Sequence, residues 1–141
     1  FDRFSGGFNV YHKEHHFSKK GGGGKAEMTV GKMLAQYNGK QVEFLSESGN
    51  KAADLRFDGQ TWDIKYINNA NTKTIRSYIE DIRRKGADNG IFYWDRINQL
   101  RELVDSMSSE IGKLSKSGRI NEMPDIYYME KSGILRTLWK K

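Results

Sequence analysis

The chain has 141 residues, 36% of them hydrophobic and 30% charged, with a formal net charge of +6. That length suits one domain with a core of its own, and the polar balance predicts a loop or arm outside that core. Without cysteine there is no disulfide and no thiolate metal site. No apolar run approaches the roughly 18–20 residues that span a membrane, and no stretch has the parts of a secretory signal, so no membrane partner is expected. The positive charge fits an anionic partner such as nucleic acid and fits plain solubility equally well. Phe1 in place of Met predicts a piece of a longer chain.

Residues 1–24 read as an N-terminal arm, Gly-rich and partly disordered, with Gly6-Gly7 and Gly21 to Gly24 as its joints. Residues 25–141 form the expected catalytic-type domain. From Lys25 to Asn38 the period is helical: Val30, Leu34 and Tyr37 recur at i, i+4, i+7, and Glu27 lies on the same inward face. Asn38-Gly39 stops the helix. A short strand at 42–45 follows, then a hairpin over 51–67 with Asp58-Gly59 at its tip.

A second helix is predicted over 73–86, with Ile75, Ile79 and Ile82 on one face and Gly86 at its end. The apolar run "GIFYW" (90–94) predicts a buried strand. A third helix is expected over 96–115, with Ile97, Leu100, Val104, Met107, Ile111 and Leu114 inward. Strands at 126–129 and 134–139 close the chain through the turn "EKSG", with Trp94, Tyr127, Tyr128 and Trp139 as core residues. Strands 90–94 and 126–129, joined through a helix, should be parallel, and the earlier strands an antiparallel meander. The fold class is α/β (α+β), a single domain with a mixed sheet and helices on its faces.

A hairpin centred on Asp58-Gly59 pairs Leu55 with Trp62, Arg56 with Thr61 and Asp54 with Asp63. Alternation then puts Ala53, Leu55, Trp62 and Ile64 on the core face, and Asp54, Arg56, Asp63 and Lys65 on the other. Two opposed carboxylates repel, and removing either should cost the metal-free protein no stability. A divalent cation offsets such repulsion, and Mg²⁺ is commonly held by one or two carboxylates. Lys65 is placed to orient water or neutralise charge in a transition state. Glu27 is the candidate third carboxylate. The bland reading makes Asp54 and Asp63 solvated edge residues paired with Arg56 or Lys65. The joint pattern favours chemistry.

Glu27 in a leading helix, then Asp54, then Asp63-Ile64-Lys65, resembles the PD-(D/E)XK nuclease superfamily. An α-β-β-β-α-β core carries the acidic residues and the lysine there in this order. The phrase "ADLRFDGQTWDIKYI…TIRSYIEDIRRKGADNGIFYW" is also similar to C-terminal toxin domains of bacterial polymorphic toxins, contact-dependent growth inhibition toxins among them, which cleave tRNA or DNA. The likeness covers about residues 25–95. Ala53 stands where the superfamily often has Pro, and Asp63 where Glu is commoner.

The resemblance implies metal-dependent endonuclease activity with Glu27, Asp54, Asp63 and Lys65 as catalytic residues. Glu27, Asp54 and Asp63 would hold Mg²⁺, with Mn²⁺ or Zn²⁺ as alternatives. It also implies a secreted effector fragment acting in the cytoplasm of a target bacterium, and a cognate acidic immunity protein. The chain is then a monomer, or a heterodimer with that inhibitor. Arg56, Arg76, Arg83, Arg84 and Lys85 are the candidate contacts to nucleic acid. A cationic last helical turn also suits the helix dipole. His12, His15 and His16 support a different reading, a metal-independent RNase using His as acid and base. A nucleic-acid-binding module without catalysis is the third.

Overall fold

A computed structural model describes residues 2–4, 7–10, 23–38, 41–45, 53–94, 100–129 and 135–141. Two short strands open the chain, β1 (Asp2–Phe4) and β2 (Gly7–Val10). Helix α1 (Gly23–Asn38) leads to β3 (Val42–Phe44), β4 (Leu55–Phe57) and β5 (Gln60–Tyr66). Helix α2 (Thr72–Arg84), β6 (Asn89–Tyr93), α3 (Leu100–Lys116), β7 (Asp125–Met129) and β8 (Leu135–Trp139) complete it. From α1 onward the order is the one read from the sequence. The strands β1 and β2 are additions within the expected arm. His12, His15, His16 and the turn "EKSG" lie outside the described residues.

The strands form one mixed sheet in chain order. The pairs β3–β4 and β4–β5 are antiparallel, and β5–β6 and β6–β7 are parallel, as a strand–helix–strand connection requires. The hairpin register is the expected one, Leu55 opposite Trp62 and Phe57 opposite Gln60. Asp58 and Gly59 have φ of 55° and 75°, the left-handed pair that a two-residue turn needs to match strand twist.

The sheet separates two apolar clusters. On one face Val30, Leu34 and Ala35 of α1 cover Val42, Phe44, Leu55, Trp62, Ile64 and Ile91. On the other, Ile75, Ile79 and Ile82 of α2 and Leu103, Met107 and Leu114 of α3 pack with Phe92, Trp94 and Ile126. Strand β6 is buried along its whole length, which explains its unbroken apolar run. Helix α2 starts where the Asn71 side chain accepts from the Thr74 amide, and ends at Lys85 before Gly86.

Two inward assignments need correction. Val104 is 42% exposed, and the buried row of α3 is Leu103, Ser106, Met107, Glu110 and Leu114. The two polar members are bonded: Ser106 to the Ala70 carbonyl, and Glu110 to Arg76 at 2.8 Å. Ala53 belongs with the α2–α3 cluster and not with Leu55 and Trp62. The cause lies at Asp54.

Candidate active site

The regular β4–β5 ladder makes Asp54 and Asp63 a non-hydrogen-bonded pair, because pairing alternates outward from the turn. Instead the Asp54 amide donates to the Trp62 carbonyl at 3.0 Å. The Ile64 amide, which would seek the Ala53 carbonyl, donates to Oδ2 of Asp54 at 2.7 Å. The chain therefore leaves the ladder at Asp54, and Ala53 turns to the opposite face. On its other side the Asp54 carbonyl still accepts from Leu45 at 2.9 Å, so the displaced residue is held from both neighbours.

Burial here is unusual for charged groups. Glu27, Asp54 and Asp63 have only 7%, 3% and 0% of their surface exposed. Burial, then the negative charges of Asp63 and Glu27, push the Asp54 carboxyl well above the ordinary carboxylate range. The Asp63 side chain is also within hydrogen-bonding reach of it. Of the three carboxyl groups named from sequence, Asp54 where β4 begins and Asp63 on β5 adjoin, and Glu27 of α1 acts on Asp54 through its charge.

Alternation puts Lys65 on the same face as Asp63, under the last turns of α2. Its Nζ lies 3.2 Å from Asp63 Oδ2, and it also pairs with Asp81 of α2. The Tyr78 ring, one turn earlier on α2, lies 5.9 Å from the same ammonium. Lys85, at the end of α2, lies 3.2 Å from Asp63 Oδ1 and 3.4 Å from Asp81. Asp63 therefore carries one lysine on each oxygen. The Lys65 contact lacks hydrogen-bond alignment, so Oδ2 of Asp63 is buried with no hydrogen bond. Burial opposes the charge of Lys85, but the charges of Asp63, Asp54 and Asp81 outweigh it and raise its pKa. Burial likewise opposes the charge of Asp81, yet its bonds to Lys65 and Arg84 hold that carboxyl well below the usual range.

The other basic residues named from sequence are already paired, and of them Arg84 alone touches a residue of this group, Asp81. Arg56 lies 3.3 Å from Glu43, its cross-strand neighbour. Arg76 holds the buried Glu110, and Arg83 bridges Glu80 and Glu122, so both tie α2 to the segment from α3 onward. Arg84 is exposed and bonds Asp81 at 2.7 Å. Asp81 is the residue that sequence reasoning missed. A signal was present: Tyr78, Asp81 and Lys85 recur at i, i+3, i+7 beside the isoleucine stripe.

The donor set suits a hard cation: carboxylate oxygens, two of them on converging side chains, and one buried oxygen without a hydrogen bond. Among the described residues no three His, Asp or Glu side chains form a ready-made cage. Mg²⁺ does not require one, since one or two carboxylates suffice and the rest of its shell is water and phosphate oxygen.

No family model, curated protein or solved structure matches the chain. No helix among the described residues is long and apolar enough to cross a membrane.

Proposed function

We propose that this chain is a metal-dependent endonuclease of the PD-(D/E)XK type, hydrolysing phosphodiester bonds of tRNA or DNA as an antibacterial toxin domain. One observation carries the reading: Asp54 and Asp63 are buried side by side at a break in the β4–β5 ladder, with Lys65 on the face of Asp63. A fold that wanted only stability would not desolvate two carboxyls against each other. The order α-β-β-β-α-β from α1 to β6, with Glu27 in the leading helix, adds support.

Asp54 and Asp63 would hold a divalent cation, with Glu27 behind them, and Mg²⁺ is the first candidate. Such a cation supplies Lewis-acid polarisation of a phosphoryl oxygen. Lys65 is anchored between Asp63, Asp81 and the Tyr78 ring, and its ammonium would neutralise negative charge developing on a phosphate bound beside Asp63. The Ile64 amide holds the Asp54 carboxyl in one orientation beside Asp63. Arg84, exposed and bonded to Asp81, is a cation that would meet the flanking nucleic-acid backbone. An acidic immunity protein covering this site is the partner that a nuclease toxin requires, with charge steering its association.

The test is incubation of the purified chain with plasmid DNA and with total tRNA, in Mg²⁺, Mn²⁺ or Zn²⁺ and in EDTA. Cleavage of at least one substrate that EDTA abolishes is the expected result. No cleavage under any condition would remove the enzyme reading.

A further inference from the structure

Lys65 fills the lysine position of the motif, which leaves Lys85 unexplained. A lysine that only complemented the end of α2 would project into solvent. Lys85 instead folds back across β5. Its side chain is 22% exposed, and its Nζ lies 3.2 Å from Oδ1 of Asp63, which is fully buried. Asp81, one turn earlier on the same helix, holds the ammonium from behind at 3.4 Å. The carboxylate with the strongest claim as a metal ligand is therefore occupied by a cation that belongs to the chain.

We propose that Lys85 and the divalent cation compete for Asp63, so that Lys85 is the resident counter-ion of the metal-free site and swings out when the metal enters. The inference deepens the nuclease reading and rests on it. Two cations within reach of one carboxylate oxygen repel each other. Lys85 has somewhere to go: its stem is flexible, it starts partly exposed, and Arg84 beside it already reaches solvent. Released, its ammonium faces solvent at the end of α2, free to meet a phosphate oxygen of the nucleic-acid backbone. The metal-free protein is thereby spared an uncompensated buried carboxylate, and a phosphate-binding cation is deployed only when the site is loaded. Lys85 is thus a positioning residue and the reason that metal affinity is held down.

Calorimetric titration with Mn²⁺ of the wild-type chain, Lys85→Met and Lys85→Gln tests this. If Lys85 occupies Asp63 in about nine molecules of ten, removing it should tighten Mn²⁺ binding by roughly tenfold. Equal or weaker binding by both variants would overturn the inference while leaving the nuclease reading intact. Absence of Mn²⁺ binding by all three proteins would sink both. A second measurement needs no variant: acylation of lysines in the wild-type chain, read by mass spectrometry with and without Mn²⁺. Labelling of Lys85 should rise several-fold with metal while that of exposed Lys73 stays constant. Tighter binding by the variants without any change in labelling would mean that Lys85 only repels the metal and does not move, contradicting the displacement.

Discussion

The Ile64 amide on β5 donates to the Asp54 carboxylate at 2.7 Å, so a side chain takes the ladder position that the Ala53 carbonyl would fill. One hydrogen bond thus turns Ala53 to the far face, ends the regular pairing of β4 and fixes a carboxyl beside Asp63.

The two aspartates should respond differently to substitution. Asp54→Asn keeps an acceptor for the Ile64 amide and removes a buried charge that Asp63 and Glu27 oppose. We expect it to stabilise the metal-free protein by about 1 kcal/mol, read from urea midpoints. Asp63→Ala leaves Lys65 and Lys85 without their buried partner and should cost about 2 kcal/mol. The opposed-carboxylate pattern alone gives the two changes the same effect. The two lysines on Asp63 separate them.

Acid sensitivity should trace to Asp81. Its folded-state pKa lies below the unfolded value of 3.8. Its contribution to stability is therefore complete above that value and is lost as pH falls through it towards the folded pKa. Melting temperature should drop below about pH 4, and Asp81→Asn should flatten that drop while lowering stability near neutrality. An unchanged acid limb in the variant would show that other carboxyls control it.

Arg76 should prove structural. Its Nε is 2.8 Å from Glu110, whose side chain is 6% exposed, so Arg76→Ala leaves a buried carboxylate unpaired between α2 and α3. A loss of about 1–2 kcal/mol is expected, with little change in the salt dependence of nucleic-acid binding. A clear fall in the salt slope with stability intact would return Arg76 to the substrate interface.

Gly90 reports on the packing that seats the site. A Cβ there would lie 2.5 Å from Cδ1 of Ile82 and 3.1 Å from Cδ1 of Ile126, between α2 and β7. Gly90→Ala should destabilise by about 1–3 kcal/mol, because both neighbours are fully buried and have little room to yield. Thermal denaturation measures it.

Much of this architecture is legible in the sequence where one period dominates. Ile75, Ile79 and Ile82 mark α2, the run from Gly90 to Trp94 marks β6, and Asp58-Gly59 sets the hairpin register. The errors fall where polar groups replace apolar ones. Ser106 and Glu110 sit inward on α3 because Ala70 and Arg76 bond them, so a count of apolar residues turns the helix and puts Val104 inside. Ala53 faces the other way because a side chain enters the ladder. Lys85 and Asp81 meet β5 only through the docking of α2 on the sheet, a relation that spacing within one helix does not contain.

The central claim is best tested by comparing wild-type protein with Asp54→Asn in one nuclease assay, on total tRNA and plasmid DNA with Mg²⁺ and with EDTA. Asp54→Asn is the suitable variant because it should be folded and at least as stable as wild type. The account predicts cleavage by wild type in Mg²⁺, none in EDTA, and a loss of at least about a hundredfold in the variant. Cleavage that persists in EDTA, or a folded Asp54→Asn protein that cuts at the wild-type rate, would contradict it.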